Sequence, residues 1–188
     1  MSADLLNEVG FDSFNTNLLA DRADLSVRAI YRYFPNKYAI VIALAEALNA
    51  ASREWVGDLS RLDQAEDWKL ALSSAIENYF IAAKQYKGFA ALRITAQAVP
   101  ELRSIDDRDN SMLQLELIAG LRRLGVRLPR ARLNALSLVT IRSSDRILDL
   151  ALQSPPREAR ILVDELKRMI VGYLSPYLEG TSQRGLAP

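Results

Sequence analysis

Cysteine and histidine are both absent from the 188 residues. Without cysteine there can be no disulfide, thiolate metal site or thiol nucleophile. Without histidine the commonest general base, the usual nucleophilic triads and most zinc or iron sites go as well. No metal or cofactor is therefore expected, and no paired constellation of carboxylate, lysine or tyrosine suggests an enzyme. Long apolar runs are missing too. No stretch of about 18 residues could span a bilayer and no secretory signal is evident, so no membrane partner and a cytoplasmic location are expected. Charge of one sign is also scarce. The formal net charge is +1, which lacks the basic excess that announces nucleic-acid binding from composition alone. In the first 45 residues Arg22, Arg28, Arg32 and Lys37 face Asp4, Glu8, Asp12, Asp21 and Asp24, a formal balance of −1. What the chain does have is 49% hydrophobic residues, enough for a core. They fall at three- and four-residue spacing, with no internal repeat, low-complexity segment or strand-like alternation, and predict an all-α fold.

The segment from Asn15 to Tyr38, NTNLLADRADLSVRAIYRYFPNKY, organises this reading. Asn15 is a good N-cap for a short helix with Leu18, Leu19 and Ala23 on its inner face. Asp24 and Leu25 make a turn. Ser26 caps a second helix carrying Val27 to Phe34, and Pro35 stops it because proline cannot continue the hydrogen-bond ladder. Helix, tight turn, helix is the helix-turn-helix layout, in which the second helix enters the DNA major groove and the first braces against the backbone.

Gly10 and Phe11, then Ala20, Arg22 and Ala23, then Ser26, Tyr31, Phe34, Pro35 and Lys37 fall in a pattern that resembles the DNA-binding head of the TetR family of bacterial transcriptional regulators. Asp24 stands where that family usually has glycine, and aspartate tolerates the left-handed backbone better than most residues. Arg28 replaces a residue that is often small and Tyr33 one that is often histidine, which suggests a base preference of its own. Ser2 to Val9, ended by Gly10, is shorter than the family's first helix. The resemblance implies an N-terminal head over residues 1–45 and a helical ligand-binding and dimerisation body over 46–180, with 181–188 as a disordered tail. It also implies a double-stranded DNA operator, a small-molecule effector, a homodimer through the last two helices, and repression as the usual mode.

Beyond the head, the spacing predicts helices over Lys37–Leu59, capped by Asn36, over Glu66–Gln85, and over Phe89–Ala98, stopped by Pro100. The run Asp106 to Asn110 interrupts the apolar pattern, which resumes over Met112–Leu124. Two long helices follow, Pro129–Gln153 and from Ser154, Pro155 and Pro156 to Leu178, with Gly180 to Pro188 expected to fray.

Several head residues are candidates for DNA. Val27 and Arg28 follow the cap and lie at the groove-entering end; Arg28 can hydrogen-bond a guanine bidentately and Val27 can touch a thymine methyl. Tyr31, Arg32 and Tyr33 carry polar tips within reach of phosphates, and the family uses matching positions that way. Lys37 matches a phosphate-contacting lysine of the family. Ser26 is a cap at the interface, and Asn15 and Asn17 read equally well as cap and surface residues or as phosphate contacts. In the body, Tyr79, Phe80, Phe89 and Met112 read as core or as the apolar wall of an effector pocket. Arg93, Gln97 and Glu116 lie on segments that otherwise look buried, so they need partners that an effector could supply. On the penultimate helix Arg142, Asp145, Arg146 and Asp149 read either as a surface charge ladder or as the rim of a dimer interface. The competing function is an all-α small-molecule binding or carrier module with weakened or lost DNA binding, in keeping with the near-neutral head.

Overall fold

Every capping residue picked out in the head makes the bond its chemistry favours. The computed structural model describes residues 1–182, without the side chains of 97, 98 and 179–182. Helix α1 covers Ser2–Ser13, with a kink at Gly10, whose φ is 70° and ψ 168°. Its final turn therefore lies beyond the glycine that the sequence suggested as its end. Helix α2 (Thr16–Ala23) starts where the Asn15 side chain accepts a hydrogen bond from the Leu18 amide at 3.0 Å. It ends at Asp24 in the left-handed conformation (φ 53°, ψ 42°), with the Leu25 amide donating back to the Ala20 carbonyl at 3.0 Å. Helix α3 (Val27–Tyr31) opens where Ser26 Oγ accepts from the Ala29 amide at 3.2 Å. It is shorter than the predicted span to Phe34, because Tyr33 N–H turns to Ile30 O in a tighter bond and Phe34 N–H uses the same carbonyl.

Helix α4 (Lys37–Val56) begins where Asn36 Oδ1 accepts from the Ala39 amide at 3.0 Å. It stops three residues short of the predicted end, and a 3₁₀ segment, Leu59–Gln64, opens on Asp58, whose side chain accepts from the Ser60 amide. Then come α5 (Trp68–Gln85), α6 (Phe89–Ala98), α7 (Pro100–Arg123), α8 (Arg130–Gln153) and α9 (Pro156–Ser182). Pro100 is the first residue of α7, where its missing N–H is not needed. The predicted interruption over Asp106–Asn110 does not occur. Its charges are absorbed by partners, Asp106 by Arg93, Arg108 by Glu46 and Asp109 by Arg53, so the helix passes straight through. Helix α9 continues past Gly180 to Ser182, and the rest of the predicted tail, 183–188, lies outside the described residues. No strand is present among the described residues.

The described chain divides into two compact units. One comprises residues 1–52 and 83–108. In it α1 packs on α6 and α2 on α3. Leu5, Leu6, Phe14, Leu19, Ile30, Ile40, Val41, Phe89, Leu92 and Leu102 are among its buried side chains. Gly88, just before α6, holds φ 77°, and a Cβ there would sit 2.5 Å from the Ala3 carbonyl oxygen, so α1 and the start of α6 meet backbone to backbone. The unit that contains the head thus extends to Ser52 and recruits 83–108.

The other unit comprises 53–82 and, among the described residues, 109–182. Its core joins Leu72, Ile76 and Phe80 of α5, Leu117 and Leu121 of α7, Leu133, Leu136 and Leu148 of α8, and Val163, Leu166, Ile170 and Leu174 of α9. An ion-pair cluster ties α5 to α9. The Arg160 guanidinium donates to both Glu77 oxygens at 2.7 Å and to Asp164, while Lys167 donates to Glu77 as well. The Arg160 hydrogen bonds, with those of Lys167, outweigh burial and hold the Glu77 carboxyl down at about 2. A depressed folded-state pKa stabilises the fold above the ordinary glutamate value and loses that contribution as pH falls from about 4.5 towards 2. Glu77→Gln is accordingly expected to lower the unfolding free energy at pH 7 by about 1–3 kcal/mol. It should also flatten the stability profile between roughly pH 5 and 2, measured by urea denaturation across that range.

Candidate nucleic-acid interface and effector region

The recognition segment is fastened from behind and open in front. Ile30 is its buried anchor, and the Arg22 guanidinium of α2 donates to both carboxylate oxygens of Glu8 on α1, at 2.9 and 2.5 Å. That pairing draws the Glu8 carboxyl below its ordinary value. The pair is neutral as a whole and leaves the formal balance of the head at −1, with Arg28 in α3 and Arg32 just after it as the local cations. Thr16, buried at the start of α2, donates through Oγ1 to the Tyr31 hydroxyl at 3.2 Å and so orients it. Sequence reasoning passed over Thr16, although a hydroxyl directly after a cap residue was a signal for such a role.

The front carries most of the residues expected to meet DNA. Asn15, Asn17, Ser26, Arg28, Tyr31, Arg32 and Tyr33 are exposed, and Val27 is half-buried. Tyr33 is 68% exposed and Tyr31 51%, values out of place for core aromatics. Arg32 donates to the Tyr33 hydroxyl at 3.1 Å and lies 4.9 Å from the ring centroid, a cation–π pair that presents cation and phenol together. Among the described residues the Arg28 side chain has no hydrogen bond or ion pair. Both polar ends of the Asn15 side chain are engaged within the head, Oδ1 accepting from the Leu18 amide and Nδ2 donating to the Ser13 carbonyl at 3.1 Å, and Ser26 caps its own helix. Lys37 is placed differently. Its ammonium turns back to the end of α1, donating to the Phe11 and Asp12 carbonyl oxygens at 3.0 and 3.3 Å.

The residues expected to bind an effector divide between the units. In the first, Phe89 is buried, and Arg93, whose side chain is only 10% exposed, pairs with Asp106. The partner that Arg93 needed is therefore supplied by the protein itself. The Gln97 side chain lies outside the described residues. In the second unit, Phe80 is part of the core and Tyr79 meets Trp55 edge-on at 6.0 Å. Met112 and Glu116, one turn apart on α7, share a face with Asp109, and Arg53 spans Asp109 at 3.5 Å and the Met112 sulfur at 3.3 Å. Glu116 is half-buried and, among the described residues, accepts no hydrogen bond. Burial first, with Asp58 and Asp109 adding to it against the pull of Arg53, pushes its carboxyl up. Such a group can accept a proton or a donor from a ligand at little cost.

Known proteins carry the same two parts. A family model described as "Bacterial regulatory proteins, tetR family" matches residues 2–44. A second, "Tetracyclin repressor-like, C-terminal domain", matches residues 67–174, more than half of the chain. The chain belongs to the TetR family. This TetR-family chain is 31% identical over 118 residues to the tetracycline repressor protein class A from transposon 1721 of Escherichia coli, a match covering 62% of the chain and 53% of that protein. It is 34% identical over 89 residues to the class G tetracycline repressor of Vibrio anguillarum, covering 47% and 40%. The match spans about half the length of these curated relatives or less. A crystal structure of a TetR-family transcriptional regulator from Streptomyces coelicolor superimposes with a TM-score of 0.68 at 28% identity, covering 94% of each chain. The all-α architecture with an N-terminal helix-turn-helix is thus the family fold. Among the described residues no helix is long and apolar enough to cross a membrane.

Proposed function

We propose that this TetR-family chain is a ligand-responsive transcriptional regulator, a cytoplasmic repressor rather than an enzyme, released from a palindromic operator by a small molecule. The observation that carries the reading is the exposed front of the recognition segment, where Arg28 and Tyr31 of α3 and Arg32 and Tyr33 of the turn after it are open to solvent while Thr16 and Ile30 hold the segment at its back. Residues 1–45 supply the DNA-binding part and 46–180 the effector and dimerisation part. Asn15, Asn17, Ser26, Tyr31, Arg32 and Tyr33 serve the backbone and Val27 and Arg28 the bases.

The dimer forms through α8 and α9. Their facing sides supply much of the second unit's core, yet Leu138, Val139 and Leu150 of α8 and Ile161 and Met169 of α9 remain exposed on the single chain. Of the neighbouring charges, Asp149 is buried 3.9 Å from Arg146, and Arg142, Asp145 and Arg146 are the candidate rim of that apolar surface. A twofold dimer sets two recognition helices about one DNA turn apart, roughly 34–36 Å. The candidate effector contacts are Tyr79, Phe80, Met112 and Glu116 in the second unit and, separately, Phe89, Arg93 and Gln97 in the first; the effector favours the non-binding spacing by its difference in affinity for the two states, and DNA weakens effector binding equally.

The test is a selection of genomic fragments by the purified protein at low and near-physiological salt. A palindrome that survives the higher salt supports the reading. Only salt-sensitive, sequence-blind binding, or none, overturns it in favour of a carrier module. Tetracycline, named in the curated relatives, is the first compound to assay for release. Within the selected site, Arg28→Ala is expected to lose about 1–3 kcal/mol of discrimination at one base pair per half-site, read by competition against substituted operators. Unchanged discrimination would remove Arg28 from the base-reading set.

A further inference from the structure

Lys37 stands apart from the exposed face of the head. Its ammonium donates to two successive carbonyls, Phe11 O at 3.0 Å and Asp12 O at 3.3 Å, both in the last turn of α1, and lies over the Phe11 ring at 4.4 Å from the centroid. The next residue, Tyr38, meets the same ring edge-on at 5.4 Å. A cation at a helix C-terminus satisfies carbonyls that have no intrahelical partner and lies at the negative end of the helix dipole. The kink at Gly10 sets off the final turn of α1 that carries both carbonyls. Only Arg32 to Asn36 separate α3 from the start of α4. Fixing the first turn of α4 to α1 therefore fixes the C-terminal end of the recognition segment, which the Thr16–Tyr31 bond also holds.

We infer that Lys37 is a positioning residue, an internal clamp between α1 and α4 that sets the angle of the recognition helix, and not a phosphate contact. Two of its three donors are already taken by carbonyls, and the face of Phe11 shields the ammonium on another side. A phosphate-binding lysine contributes through its charge to the released counterions, whereas a clamp contributes through geometry, and the two leave different signatures.

The experiment has two arms on the full chain. The first is independent of DNA. In the free protein, Lys37 ε-methylene protons over the Phe11 ring are expected to resonate upfield of ordinary lysines, and Phe11→Leu should return them to the ordinary position. Ordinary shifts in the unaltered protein would overturn the clamp. The second arm rests on the proposed DNA function and uses the selected operator. Lys37→Met keeps the apolar stem and removes the charge. It is expected to weaken binding by about five- to tenfold at every salt concentration while leaving the slope of log affinity against log salt unchanged, with Lys37→Arg recovering most of the loss. A slope reduced by about 0.9 per protomer, with upfield shifts absent, would make Lys37 a phosphate contact instead. Failure of the unaltered protein to select an operator would count against the proposed function, while the proton shifts would still decide the clamp.

Discussion

Asp106→Ala is expected to destabilise the protein by about 2–4 kcal/mol. The reason lies in Arg93, whose guanidinium is mostly withdrawn from water between α6 and α7 and pairs with Asp106. Removing the carboxylate takes a close counter-charge from a cation in a poorly solvated position, so the penalty exceeds the modest net worth of an exposed pair. Asp106 is 23% exposed, so the effect falls below that of a fully buried pair. Replacing both partners, as in Arg93→Met with Asp106→Leu, should recover most of the stability, because no cation then remains in the poorly solvated site. Urea denaturation of the single and double variants, with the slope of the transition unchanged, measures the coupling directly. Equal losses in the single and double variants would mean that the carboxylate acts through packing alone. The double variant also bears on function. If it folds and still releases operator with an effector, Arg93 is structural; if it folds and no longer responds, Arg93 is an effector anchor as well.

That ambiguity shows what a sequence can and cannot carry. Caps and turns are local, and Asn15, Ser26, Asn36 and Asp24 therefore behave as their chemistry indicates. The exposed face of α3 was legible for the same reason, since Arg28, Arg32 and Tyr33 are polar or amphipathic at adjoining positions of a short helix. Partners distant in the chain were not legible. Nothing near Asp106 to Asn110 announces that Arg93, Glu46 and Arg53 are waiting to neutralise their charges, so a continuous α7 looked like a break. The inward turn of Lys37 depends on Phe11 and Asp12, more than twenty residues earlier, and the resemblance to a family pointed towards phosphate instead. Arg93 and Glu116 both looked like polar residues in need of partners. Only their surroundings distinguish them, one already paired and the other without a hydrogen bond among the described residues.

The second large effect is expected at Gly88, and a matched glycine isolates its cause. Gly88 and Gly57 both hold φ 77°, a conformation that costs an L-residue about 1–2 kcal/mol. At Gly57 an added Cβ would have nothing within 4 Å, whereas at Gly88 it would lie 2.5 Å from the Ala3 carbonyl oxygen and 2.7 Å from the Ala3 Cβ. Neither of those atoms is the far end of a flexible side chain, so relief requires α1 to move away from α6. Gly57→Ala should therefore lose only the backbone strain, and Gly88→Ala that strain plus about 1–3 kcal/mol of overpacking. The melting temperatures of the two variants measure the difference. Because α1 also holds α2 through Glu8 and Arg22 and α4 through Lys37, a displaced α1 should weaken operator binding in Gly88→Ala while Gly57→Ala binds normally. If both variants lost the same stability, the α1–α6 contact would be loose enough to absorb a methyl group. If Gly88→Ala lost stability alone and kept its operator affinity, the position of α1 would not reach the recognition helix.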